Sequence, residues 1–166
     1  MSIDRTVVLG IGNTILSDEG LGVVAVERLR QMYTFEPEIE LIDGGTIGID
    51  LINFIEGTDR LLVLDAVLGG KEPGTLYHFE GEQVKKYFRN KVSMHEIGFQ
   101  EVMALMDLRE KAPREIVIMG IEPKFIELGT ELSAEVEENM NKLLDMVVEK
   151  LSLWGFNVLE KAGKEV

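Results

Sequence analysis

Leu9 to Gly22, reading LGIGNTILSDEGLG, decides how this chain is to be read. Val7-Val8-Leu9 looks like a fully buried strand, two glycines follow, and Asp18 and Glu19 then stand where a helix begins. Glycine lacks a Cβ, so Gly10 and Gly12 allow a tight turn and close approach by another backbone. Carboxylates in a first helical turn are favoured by the helix dipole. Ser17 can cap that helix, so both acids have a structural excuse as well as a possible functional one. The segment either seats a ligand or is a well-capped strand-to-helix turn.

Working outward, apolar runs alternate with amphipathic segments, the pattern of a layered α/β domain. Leu21, Val24, Ala25, Leu29 and Met32 recur at helical spacing and predict a helix from about Asp18 to Tyr33. Glu38 to Ile42 reads as a second strand ending at Asp43-Gly44-Gly45-Thr46. A short helix over about Gly48 to Ile55 and the apolar run Arg60 to Leu68 come next. Gly69 to Gly74 is a turn cluster, beyond which Thr75 to Phe79 can pair back antiparallel. Ser93 and Glu96 have the spacing of a capping box opening a further helix. Glu115 to Ile121 reads as a strand, and Val136, Met140, Leu143, Leu144, Val147 and Leu151 form one face of a last helix from near Ser133. About five strands in a mixed, mostly parallel sheet with helices on both sides are expected. The 166 residues fit one domain, 1–166, with residues 155–166 expected to be partly loose.

Composition excludes several classes. There is no cysteine, hence no disulfide, thiolate metal site or cysteine nucleophile. The net charge of −13 repels phosphate backbones, so neither nucleic acid nor an anionic membrane is expected as partner. No apolar run approaches the roughly 20 residues that span a bilayer, and the start lacks a signal-peptide pattern. A cytoplasmic protein is expected. Without an obvious exposed apolar stripe, a monomer is expected too.

Three residues stand out for chemistry. Asp65 interrupts Leu61 to Leu68, and a carboxylate there is costly to bury unless paired, hydrogen-bonded or bound to a cation. His95 falls in the first turn of the helix capped by Ser93, where the dipole disfavours imidazolium and keeps the ring in its metal-binding, proton-accepting form. Glu19 follows the first strand. In open α/β sheets ligands bind beyond the carboxyl ends of the strands, where these three could converge as an N/O site for a divalent metal. His78, alternating with Tyr77 and Phe79, reads as a half-exposed strand residue. Competing motifs fail: Ile15 stands where a dinucleotide fingerprint needs its third glycine. Gly70-Lys71 lacks a P-loop's other residues, and Gly-x-Ser-x-Gly is absent. Met103, Met106 and Met140 read as core filling.

The ordered set of motifs resembles the hydrogenase maturation endopeptidases, which process [NiFe]-hydrogenase large subunits. It consists of Gly10-Ile11-Gly12-Asn13 with Asp18 to Gly22, Asp43 to Thr46, Leu64-Asp65-Ala66, Ser93 to Gly98, Gly120-Ile121-Glu122-Pro123 and Leu132-Ser133. It covers about Val7 to Leu151, without departure at the key positions. The resemblance implies an α/β/α sandwich on a twisted mixed sheet. It implies removal of a C-terminal extension from the nickel-loaded large-subunit precursor, the nickel belonging to the substrate. The family's nickel-contacting residues fall on Glu19, Asp65 and His95, with Asn13, Asp43, Gly44, Gly45 and Thr46 shaping the cleft around them. Nickel would either assist hydrolysis directly or only dock the substrate while Asp65 or Glu19 serves as base. A nickel-sensing assembly chaperone on the same fold is the alternative reading. Asp18 is left without a role.

Overall fold

A computed structural model of the chain describes residues 4–45, 56–91 and 113–161. Its main sheet has the strand order β3-β1-β4-β6-β5. β1 is Thr6–Ile11, β3 Glu40–Gly45, β4 Arg60–Ala66, β5 Leu76–Glu80 and β6 Glu115–Ile121. β1, β3, β4 and β6 run parallel, and β5 lies antiparallel on the β6 edge. The sheet is thus mixed and mostly parallel, as expected. The antiparallel strand does not pair with β4, however; β6 is interposed between the two.

β1 and β4 are central and buried on both faces, which is why they read as unbroken apolar runs. Their side chains still alternate between two cores. Val8, Leu62, Leu64, Met119 and Ile121 pack with α1 (Leu21–Met32) and α3 (Ala134–Leu153). Val7, Leu9, Leu61, Val63 and Ile118 face the other way, where Val84 and Tyr87 of α2 (Glu82–Lys91) cover them. Helix, sheet and helix make the three layers. The face of α3 is the one its spacing predicts: Val136, Met140, Leu143, Leu144, Val147 and Leu151 are all buried. Ser133 caps this helix, accepting the Val136 amide on its hydroxyl at 3.3 Å.

Three local differences from the sequence reading have physical causes. The helix expected from Asp18 begins as a 3-10 turn over Ser17–Gly20, with α1 proper starting at Leu21. Ser17 does not cap it: at φ +50° its hydroxyl instead donates to the Glu127 carbonyl at 2.9 Å. Within the tail expected to be loose, Asn157–Glu160 forms β7, paired antiparallel with a short strand β2, Tyr33–Glu36. Those four-residue strands become ordered only because the ends of α1 and α3 bring them side by side. The short helix expected near Gly48 to Ile55 and the helix expected from Ser93 lie outside the described residues.

Candidate active site

The chain order sets where a site can form. β1 leads through α1 to β3 on one side of it, whereas β4 lies on its other side. That reversal opens a crevice beyond the carboxyl ends of β1 and β4. Glu19 follows β1 and Asp65 is the penultimate residue of β4.

Glycine contacts close the distance between them. A Cβ on Gly22 would stand 2.1 Å from the Leu64 carbonyl oxygen and 2.6 Å from that of Ile11. The first turn of α1 therefore rests directly on the ends of β1 and β4, an approach no other residue permits. Gly12, at φ +136°, has its own Cβ position 1.9 Å from the Glu19 carbonyl oxygen. The turn after β1 and the turn carrying Glu19 are thereby in backbone contact. The glycines make room for protein backbone rather than for phosphate.

Both carboxylates are buried, Glu19 at 3 % exposure and Asp65 at 1 %. Strand parity places Asp65 with Leu61 and Val63, on the α2 face of the sheet. There Oδ1 accepts the Ala66 amide at 2.8 Å, and Oδ2 accepts the Tyr87 hydroxyl at 2.8 Å. Charged acceptors make hydrogen bonds about twice as strong as neutral ones, so the carboxylate is firmly oriented. Burial, and after it the negative charge of Glu19, push the Tyr87 hydroxyl well above the ordinary tyrosine range. Tyr87 thus stays a neutral donor, held to Asp65 and under the field of Glu19. The sequence reading places no element between Thr75–Phe79 and Ser93, so neither α2 nor Tyr87 on it is anticipated.

Asp18 is the buried neighbour with a different task. Its Oδ2 accepts the amides of Lys124 at 2.8 Å and Phe125 at 3.1 Å and the Ser133 hydroxyl at 2.8 Å. Its Oδ1 accepts the Ser133 amide at 2.7 Å. It is 0 % exposed. With four donors it anchors the loop between β6 and α3 to the turn after β1.

Glu122, just past β6, plays a similar part: Oε1 accepts the amides of Gly69 at 2.9 Å and Lys71 at 3.0 Å and the Tyr77 hydroxyl at 2.6 Å. It fixes the loop that follows Asp65. Burial, followed by the hydrogen bond to Glu122, pushes Tyr77 up to about 12.

Of the residues expected around the cleft, Asn13 and Asp43 hold their own turns. Asn13 Oδ1 accepts the Ile15 amide at 3.1 Å, and Asp43 Oδ1 accepts the Gly45 amide at 2.9 Å. Gly45, at φ +53°, passes its carbonyl to the Gly12 amide at 2.8 Å, and Gly44 lies buried against Leu9. His78 is exposed on β5, 2.7 Å from Glu80, as its reading predicts. His95 and Thr46 lie outside the described residues. Among the described residues no three acidic or histidine side chains are grouped to hold a metal ion. Glu19 and Asp65 offer hard oxygen donors that suit a divalent cation once a further donor joins them.

What the arrangement can do chemically is bounded by this donor set. Two buried carboxylates, one fixed by a hydroxyl and an amide, can grip a cation or take a proton from water. Comparison with known proteins narrows the choice. Residues 23–150 match the family model described as "Hydrogenase maturation protease". The chain is 40% identical over 155 residues to the hydrogenase expression/formation protein HoxM of Cupriavidus necator, covering 90% of this chain and 75% of that protein. It is 32% identical over 158 residues to the hydrogenase 2 maturation protease of Escherichia coli, covering 95% and 96%. The structure of the hydrogenase maturating endopeptidase HybD from E. coli superposes with a TM-score of 0.90 at 31% identity, covering 95% of this chain and 98% of that one.

Proposed function

Since the chain belongs to the hydrogenase maturation protease family, a family of peptidases, we propose that it removes the C-terminal extension of a nickel-loaded [NiFe]-hydrogenase large-subunit precursor. Nickel arrives with the substrate, and Glu19 and Asp65, with His95, are the groups that meet it. The observation that carries this reading is the pair of buried carboxylates at the crevice between β1 and β4, one of them oriented by Tyr87. Burial excludes competing water and strengthens the attraction between a carboxylate and a cation. A precursor without its metal offers no charge to offset two desolvated carboxylates, which makes the site selective for the loaded form.

Hydrolysis at such a site needs a water oxygen to attack the scissile carbonyl carbon. Its proton passes to a carboxylate and then to the departing amine nitrogen. The Tyr87 and Ala66 donors keep the Asp65 carboxylate aimed through these steps. Asn13, Asp43, Gly44, Gly45 and Thr46 shape the walls that admit the peptide. No helix among the described residues is long and apolar enough to cross a membrane. Action on a cytoplasmic precursor by a single-domain, monomeric protease completes the proposal.

The test is precursor cleavage followed by mass loss at the C-terminus. The native chain cleaves nickel-loaded precursor and leaves nickel-free precursor intact. Asp65→Asn keeps the shape of the side chain and lowers the rate at least about 100-fold, the scale of a lost general base or ligand. Undiminished cleavage by this variant, or equal cleavage of nickel-free precursor, overturns the reading.

A further inference from the structure

Among the described residues eight large apolar side chains are exposed, and four of them, Ile15, Phe125, Ile126 and Leu128, sit on two loops that touch. The Gly129 amide donates to the Ile15 carbonyl at 3.0 Å, and the Ser17 amide to the Gly129 carbonyl at 2.8 Å. The Asp18 amide donates to the Phe125 carbonyl at 3.1 Å, and the Ser17 hydroxyl to that of Glu127 at 2.9 Å. Asp18 adds its carboxylate, holding the amides of Lys124 and Phe125 from beneath. A fully buried charge is an expensive way to hold a surface loop. Here it fixes the backbone while turning phenylalanine, isoleucine and leucine toward water. Rigid loops presenting apolar side chains are preorganised for binding, because little entropy is left to lose on contact. Clustered exposed apolar residues mark an interaction surface.

Resting on the function proposed above, we propose that this four-residue surface receives the folded body of the large-subunit precursor while its C-terminal segment enters the crevice. Glu19 directly follows Asp18 on the stitched turn, so the apolar surface and the candidate site are one structural unit. A polypeptide whose scissile bond reaches Glu19 and Asp65 must cross the rim around them, and this is an apolar part of that rim. A second copy of the chain is a poorer occupant, since each copy carries a net charge of −13 and like charges repel. Leu153, 75% exposed, serves as the control. Leu153 closes α3, a 20-residue helix capped at its start by Ser133 beside Asp18, and so lies about 30 Å away.

Titrating the full chain with purified nickel-loaded precursor tests this. A double variant, Ile126→Ser with Leu128→Glu, alters side chains that are 43% and 83% exposed, and its thermal midpoint stays within about 2 °C of the native one. Its Kd for precursor rises at least about tenfold, and KM rises while kcat stays within about twofold, as expected for lost docking contacts. Leu153→Glu leaves both unchanged. Equal affinity of the double variant and the native chain overturns the proposal, as does an equal loss in Leu153→Glu. So does sedimentation showing that the surface joins two copies and that precursor affinity does not depend on it. The two readings fail separately: precursor that binds through this surface and is not cleaved removes the peptidase mechanism, whereas cleavage with unaltered Kd removes the docking surface.

Discussion

The two ends of the main sheet treat charge in opposite ways. At the amino ends of the strands, Arg5 pairs with Glu40, Arg60 with Glu115 and Arg114 with Asp4, all with partly exposed side chains. At the carboxyl ends, Asp18, Glu19, Asp65 and Glu122 are buried. There Asp18, Asp65 and Glu122 are held by amides and hydroxyls. Exposed ion pairs contribute little, because water already solvates both partners. Buried carboxylates cost several kcal/mol each to desolvate, on the order of what the fold has to spare, so each must be fixed by specific donors. Charge at the amino ends is exposed and weakly stabilising. At the carboxyl ends the same residue type is fixed for different tasks: Asp18 ties the loop after β6 to the turn after β1, whereas Asp65 is held by the Ala66 amide and the Tyr87 hydroxyl beside the crevice.

That contrast can be broken most forcefully at Asp18. Asp18→Ala strands the Ser133 hydroxyl and amide in buried surroundings, where each unsatisfied group costs about 1–3 kcal/mol, and also releases two part-buried amides of the loop after β6. A loss of at least about 3 kcal/mol is expected, lowering the thermal midpoint by about 6–12 °C for a chain of this size. A change under about 2 °C would mean that the carboxyl-end acids are no more demanding than the surface pairs. Calorimetry at neutral pH decides.

Tyr87→Phe sharpens the comparison within the carboxyl end. The ring stays in the α2 core and only the hydroxyl that orients Asp65 is lost. We expect kcat for precursor cleavage to fall about three- to tenfold with KM nearly unchanged, the signature of a positioning contact. A thermal loss with unchanged kcat would reduce Tyr87 to packing.

The smallest effect belongs to the amino end. The Arg5 guanidinium, hydrogen-bonded to Glu40, holds that carboxyl below the ordinary glutamate range. A depressed carboxylate stabilises the fold above its unfolded pKa, and that contribution is lost as the pH falls through the folded value. Glu40→Gln therefore costs under about 1 kcal/mol at neutral pH and nothing in acid, the pair being largely solvated. Denaturant midpoints at pH 7 and pH 3 that fall equally in the variant would contradict this.

Much of the fold is legible in the sequence. Val7 to Leu9 and Leu61 to Leu64 read as buried strands because both faces of a central parallel strand are apolar. The 3.6-residue spacing from Val136 to Leu151 marked the buried face of α3 without ambiguity. Asp65 stood out for a related reason: a charge inside such a run violates the pattern that makes the run readable. Other features were invisible because they belong to no local pattern. β2 and β7 are four residues each, too short for a period to register, and they exist by pairing across 120 residues of chain. Tyr87 carries no signal in the sequence, because its role comes from the pleat of β4, which turns Asp65 toward α2.

Sequence by itself determined the layered class, the buried strands, the apolar faces of α1 and α3 and the unusual acids, since each follows from hydrophobic period or from a charge where none is cheap. Only the tertiary structure separated Asp18 from Glu19. The two are adjacent, both acidic, both at the start of one helix and both buried. Which of them faces four donors from the loop after β6, and which acts on Tyr87, depends on a 3-10 turn pressed against Gly12 and leading into α1 where Gly22 meets the ends of β1 and β4. A direction in space that turns over within one residue is set by what packs around it, not by the residue type.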